Sequence, residues 1–403
     1  MKKIYIFKIV LFCILLCAGT LSTVIGQNQT VSDRENRELV NRPAWKVHKI
    51  LKGTYQKKYE KFINDHFAKR DQWVSLATRM QTAMGKKEIN GVYFGKDHYL
   101  LEKYQKSDFD FEQVNENVEI LSDFLDQAVD EYGTEHVTCM MVPSKTTTLS
   151  QNLPKYASQY DPQKILKKLR KKTEASETIL DLTQEMKEHK DEYIYYRTDH
   201  HWTTLGAYYA YHKWAEERGQ ATAYSREHYQ RETVYQDFYG TTYNKVLAGG
   251  RKDQVELFHN EGDRSVHVSM DDGDVTADTM YFPEAAEQGF NRYQIFFSKN
   301  TFQVDVTTRK KKGRTLLLIK DSFANCFVPF LTEDYDRVIM IDYRYGKRSM
   351  GSILDEYEDI TDVLVLFNVE KFMQNTKLGK MADFRRQKSK DEEMEEFRME
   401  DFL

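Results

Sequence analysis

Three largely apolar runs limit most strongly what this chain can fold into. They are His136–Pro143, Thr315–Ile319 and Val363–Asn368. Short runs of this kind, rich in Val, Ile and Leu and bounded by polar or turn residues, read as strands buried on both faces. Asp336–Asp342 supplies a fourth, ending in Tyr343-Arg344-Tyr345. Helical patterns lie between them. Phe109–Tyr132 carries apolar residues at helical intervals and stops at Gly133, a C-cap residue. Residues 161–175 read as a second helix. Thr203–Arg218 reads as a third, with Leu205, Tyr208, Tyr209, Tyr211, Trp214 and Ala215 for its core. Strands alternating with helices predict an α/β fold, a mostly parallel sheet flanked by helices.

Composition agrees and removes some functions. The 403 residues are 40% hydrophobic and include 26 Tyr and 23 Phe, enough to bury a core. Only 6 Pro argues against a disordered or linker-rich chain. The net charge of -4 offers no basic excess for nucleic acid. The clusters Lys167–Lys172 and Arg309–Lys312 are local, one a solvated helix face and the other a loop before a strand. Of the 4 Cys, Cys13 and Cys17 lie in the N-terminal apolar segment. Cys139 and Cys326 either pair or stay as buried thiols, and no pair has zinc-ligand spacing.

Lys2-Lys3 precedes a nearly continuous apolar stretch from Ile4 to Ile25. That pattern reads as a signal-anchor or a cleavable signal peptide ending near Gly26, and it places the remainder of the chain outside the cytoplasm. The expected organisation is a membrane anchor or leader over 1–26 and a spacer with helices over 27–85. A catalytic domain over 86–375 and a charged tail over 376–403 complete it. Within the catalytic domain, about 220–310 reads as a strand-rich insertion, a lid or groove wall.

Thr198-Asp199-His200-His201-Trp202 comes directly after the predicted strand Tyr193–Tyr196. Asp199 and His201 are two apart, so an extended backbone would point both the same way. The carboxylate would then fix the imidazole tautomer and leave Nε2 free to take a proton. Far downstream, Lys320-Asp321-Ser322-Phe323 sits where a strand turns into a helix, a place that exposes a hydroxyl and gathers backbone N–H groups. Acid, imidazole and hydroxyl are the parts of a nucleophilic acyl-transfer site. Each part has a plainer reading. Asp321-Ser322 can be a helix N-cap. Asp199-His200-His201 can be a metal site, as in manganese phosphoesterases, although the further Asp clusters of such sites are missing. Trp202 is either a core or a sugar-stacking residue.

Taken together, these stretches resemble the DHHW family, related to the alginate O-acetyltransferase proteins. Thr198–Ala207 is similar to the family's Asp-x-His-Trp-Thr block. Lys320–Phe323 is similar to its nucleophile block, with Lys320 where Gly is usual. Val142–Lys145, Ile341–Tyr345 and Asn90–Phe94 fit as well. The resemblance implies a permuted SGNH-hydrolase-like, flavodoxin-like fold. It implies that Asp199 orients His201, that His201 is the general base and that Ser322 is the nucleophile. Tyr343, Arg344, Lys145, Trp202 and Asn368 become candidates for substrate or oxyanion contacts. The implied activity is transfer or removal of acetyl groups on cell-surface polysaccharide at the extracytoplasmic face. A multi-span membrane acyltransferase would supply the acetyl group, and no cofactor is needed. The alternative is a non-catalytic polysaccharide-binding or assembly protein on the same fold.

Overall fold

The structure is a computed structural model and describes residues 2–25, 30–32, 37–67, 69–288, 291–346 and 348–384. Its centre is an eight-stranded sheet, built from β1 (Val137–Val142), β2 (Ile179–Asp181), β3 (Val266–Met270), β4 (Val275–Ala277), β5 (Gln303–Thr308), β6 (Thr315–Lys320), β7 (Arg337–Ile341) and β8 (Asp362–Asn368). The strand order is β4-β3-β5-β7-β6-β8-β1-β2. The five strands from β7 to β2 are parallel. β5, β3 and β4 extend the sheet antiparallel. The four apolar runs are thus the inner parallel strands, and the predicted mostly parallel sheet is a mixed one.

Period-two alternation sends each strand's side chains into two separate cores. Leu316, Leu318, Val338, Met340, Leu364, Leu366, Met140 and Val142 join the core on one face. Leu317, Ile319, Ile339, Ile341, Val363, Val365, Cys139 and Met141 join the other. Helix Thr204–Arg218 packs in the first core and helix Phe111–Tyr132 in the second. Cys139 and Cys326 lie in opposite cores and both are free thiols, which settles the pairing question left by the sequence.

Several local expectations change. Tyr193–Tyr196 is no strand. A single antiparallel bridge, Tyr195 to Trp202, folds this segment back on itself. Tyr195, Tyr196 and Trp202 are fully buried, so packing of large rings holds the segment where a ladder would otherwise do so. After β6 the chain makes a 3-10 turn over Ser322–Cys326 and then one short helix, Val328–Leu331. The insertion contributes β3, β4 and β5 and a separate hairpin of Gln230–Phe238 with Asp253–His259.

Lys2–Ile25 forms one helix, and its described side chains from Ile4 to Ile14 are largely exposed. Among the described residues, no helix is long and apolar enough to cross a membrane. The side chains of Leu15, Leu16 and Ala18, and those from Thr20 to Gln29, lie outside the described set. So does the chain from residue 385 on, where the charged tail was expected.

Gly206 shows how tightly helix Thr204–Arg218 sits against this loop. A Cβ there would lie 2.4 Å from the Ile194 carbonyl oxygen and 3.0 Å from Trp202 Cβ. Gly206→Ala should therefore destabilise the fold by about 1–3 kcal/mol from overpacking. That outweighs the gain in helix propensity of about 1 kcal/mol. Urea unfolding at equilibrium measures the balance, and a variant as stable as the parent would contradict this packing.

Candidate active site

The run after Arg197 is held from three directions. Lys145, at the end of β1, donates from Nζ to the carbonyls of Tyr196 at 3.0 Å, Arg197 at 3.3 Å and Asp199 at 2.7 Å. Burial pushes the Lys145 ammonium down to about 8, although Asp253, Asp199 and Glu102 favour its charged form. Three carbonyl partners use all three N–H donors of a charged lysine. From the insertion, the buried Asp253 accepts from Arg197 N at 2.6 Å, Thr198 N at 2.7 Å and Thr198 Oγ1 at 2.5 Å, as well as from Tyr193 OH. Gly240 lies against the acid itself, since a Cβ there would fall 2.2 Å from Asp199 Cβ.

This packing brings the three predicted groups together. His201 Nδ1 donates to Asp199 Oδ1 at 2.6 Å, and His201 Nε2 lies 2.8 Å from Ser322 Oγ. Asp199 is fully buried, His201 is 3% exposed and Ser322 is 7% exposed. Burial alone would raise the Asp199 carboxyl. The neighbouring His201 and His200, with the hydrogen bonds from His201 and Thr241, instead hold it well below the usual carboxylate range. Asp199 Oδ1 also takes His201 N at 3.0 Å, while Oδ2 takes Thr241 N at 2.8 Å and Thr241 Oγ1 at 2.9 Å. An anion with four donors stays an anion.

The serine turn is fixed with equal care. Asp321 Oδ1 accepts from Phe323 N and Oδ2 from Asn368 N, each at 2.8 Å. Trp202 Nε1 donates to Phe323 O at 2.9 Å, tying the histidine loop to the serine turn. Tyr293 OH donates to Ser322 O at 2.9 Å. The Tyr293 ring stacks on His201 with centroids 3.9 Å apart and planes 8° apart. Lys320, where the resemblance expects Gly, donates to Asn325 Oδ1 at 2.6 Å.

The five other predicted contacts fall elsewhere. Trp202 is fully buried, so it offers no face to a sugar and serves as a strut. Tyr343 points into the opposite core against Phe302, away from Ser322. Arg344 is paired with Asp342 at 2.8 and 2.6 Å. Asn368 spends its side chain on structure, Nδ2 donating to Val142 O at a strand end and Oδ1 accepting from Lys371 N to cap helix Val369–Gln374. Lys145 is a clamp on the loop backbone. In return, the insertion supplies Thr241, Asp253 and Tyr293, which sequence reasoning missed. Their positions in the chain carry no local signal, because each meets the site only through tertiary folding.

Asp199, His200 and His201 present ligand-type atoms within 4.8 Å of one another. Both ring nitrogens of His201 and both Asp199 oxygens already have protein partners, and His200 Nδ1 lies 2.6 Å from Thr241 Oγ1. The donor set is arranged as a hydrogen-bonded relay, which leaves it little to give a cation.

Fold and site together define an α/β protein carrying a buried acid–histidine–serine relay. The DHHW family model matches residues 103–341, more than half of the chain, and the chain belongs to that family. Among curated proteins none matches its sequence significantly. Three solved structures are similar in fold. A DHHW family protein from Eubacterium siraeum is 21% identical, with 75% of this chain and 98% of that one covered and a TM-score of 0.59. Bacillus cereus PatB1 is 21% identical, with 72% and 98% covered and a TM-score of 0.58. PatB1 with a sulfonyl adduct is 20% identical, with 74% and 99% covered and a TM-score of 0.56.

Two outcomes are expected from this geometry. Thr241→Val removes the hydroxyl bond to Asp199 and keeps the backbone one. Losing a bond to a charged group costs about 1.5–3 kcal/mol, so the unfolding free energy should fall by about that much, measured by urea unfolding at equilibrium. The second concerns acid. Burial, then the adjacent His201, hold His200 well below its ordinary value of 6.5. The unfolded chain takes up a proton near 6.5 that the folded chain refuses, so this contribution to stability is present above that pH and lost below it. His200→Asn should flatten the fall in Tm between about pH 6.5 and 5. An unchanged slope would contradict the assignment.

Proposed function

We propose that this protein is an extracytoplasmic O-acetyltransferase or esterase acting on cell-surface polysaccharide through Ser322, His201 and Asp199. The observation that carries the reading is the unbroken relay, 2.6 Å from Asp199 to His201 and 2.8 Å from His201 to Ser322. In the first half-reaction His201 Nε2 takes the hydroxyl proton as Ser322 Oγ attacks the acyl carbonyl. His201 then returns the proton to the leaving alcohol, and an acyl-serine remains. In the second half-reaction His201 removes a proton from a glycan hydroxyl, or from water, whose oxygen attacks the acyl carbon, and His201 returns that proton to Ser322 Oγ as the acyl–serine bond breaks. Asp199 holds the imidazolium that forms in each half. Ser322 N–H, with no protein acceptor among the described residues, is the nearest donor for the oxyanion, in the manner of serine hydrolases. Phe323 N–H is already spent on Asp321.

The motif resemblance to the alginate O-acetyltransferases supports the acetyl group and the polysaccharide. PatB1, of similar fold, has been observed with a sulfonyl adduct, the product expected when a sulfonyl reagent meets an activated nucleophile. Transfer in place of hydrolysis suits a reacting pair as enclosed as Ser322 and His201, because water is largely excluded. Lys2-Lys3 at the start of a largely apolar helix supports anchoring or export, and the motif resemblance implies a multi-span membrane acyltransferase as the acetyl donor.

The test is turnover of p-nitrophenyl acetate, with intact-mass detection of an acetyl adduct. Ser322→Ala and His201→Ala should each lower kcat by about four to six orders of magnitude with little change in Tm. His200→Ala should cost far less. Full activity in Ser322→Ala would end the proposal, and equal losses in both histidine variants together with bound metal would favour a phosphoesterase.

A further inference from the structure

Beside the Asp199 loop lies a cavity of about 400 Å3, lined by Tyr193, Arg197, Gln236, Arg251, Lys252, Asp253 and Gln254. Three of these side chains are cationic in a chain of net charge -4. Arg197 is the unusual one. Its guanidinium lies between two rings, 5.3 Å from the Tyr99 centroid and 4.6 Å from that of Tyr193. Its Nε is buried with no hydrogen-bond partner. None of Arg197, Arg251 and Lys252 makes a side-chain hydrogen bond or ion pair among the described residues.

The one acid in the lining does not neutralise them directly. Both Asp253 oxygens are spent on Tyr193 OH, Arg197 N, Thr198 N and Thr198 Oγ1. A guanidinium placed over two aromatic faces, with no hydrogen bond of its own among the described residues, is available to a planar or tetrahedral oxyanion. Arg251 and Lys252 are exposed at the rim and would add charge as an anion enters, and the amides of Gln236 and Gln254 offer hydrogen bonds to sugar hydroxyls. Arg197 is two residues from Asp199 along the chain, so a group held here is tied to the loop that carries the relay.

We infer that this cavity is a subsite for an anionic sugar unit of the acceptor glycan, one bearing a carboxylate or a phosphate. The inference rests on the acyl-transfer reading for the word acceptor, and its test is independent of turnover. Binding is measured by calorimetry on the full-length Ser322→Ala chain, which has no nucleophile. The probes are an oligo-uronate, a glycerol-phosphate oligomer and a neutral glucose oligomer of equal length.

At least one anionic probe should bind, more weakly as salt rises, while the neutral one binds at least tenfold more weakly. Uronate alone would identify a carboxylate and glycerol-phosphate alone a phosphate. Binding of both would define a general oxyanion site. Arg251→Ala combined with Lys252→Ala, two exposed positions where folding is not at stake, should weaken the anionic probe roughly tenfold. Arg197→Met should weaken it further while Tm reports whether that variant is folded. Absence of binding, equal binding of neutral and anionic probes, or a double variant that binds like the parent would each overturn the inference. If anionic binding holds and acetyl turnover does not, the subsite stands and the acyl-transfer reading alone fails.

Discussion

The buried carboxylate of Asp199 is the point on which the rest of the site depends. An anion removed from water is costly unless several donors replace its hydration. Here His201 N, His201 Nδ1, Thr241 N and Thr241 Oγ1 do so. Those donors come from two stretches far apart in the chain, and a third, Lys145, holds the same residue by its carbonyl. The acid can be charged only when all three stretches have met. The relay is therefore assembled by the tertiary fold and is not a property of the Asp-His-His-Trp run itself.

The same constraint explains the irregular loop. A regular strand at 193–202 would have paired its backbone in a ladder and left no carbonyls for Lys145 or amides for Asp253. Instead, the backbone polar groups around Arg197 and Thr198 are satisfied by buried charges of opposite sign. Burial works against both charges, lowering the Lys145 pKa and raising that of Asp253. Buried ion clusters of this kind add little net stability, and their return is in fixed geometry. The stacked ring of Tyr293 and the indole bond of Trp202 do the remaining positioning.

Much of this was legible in the sequence, for physical reasons that can be named. Continuous apolar runs have few folded solutions, so the parallel core strands and the sites at their carboxyl ends were readable. That Asp199, His201 and Ser322 meet was readable because an acid, an imidazole and a hydroxyl in these settings form a recognisable set. What failed was inference from neighbourhood. Tyr343 and Arg344 come after a strand end just as Ser322 does, yet one faces the other core and the other is occupied by Asp342. Trp202 carries the motif but works from inside the core. Thr241, Asp253 and Tyr293 were unreadable because nothing local marks a residue whose partner is a long-range contact. The strand pattern at 193–196 misled because a run rich in buried tyrosines satisfies strand periodicity with no more pairing than the single bridge from Tyr195 to Trp202.

The most direct measurement of the relay is site mapping with a sulfonyl fluoride, followed by peptide mass analysis. Such a reagent reacts with a serine only when a base removes its proton in place. The account predicts one modified residue, Ser322, with labelling strongly suppressed in His201→Ala and in Asp199→Asn. Labelling spread over many serines, or labelling of Ser322 that survives loss of His201, would contradict it.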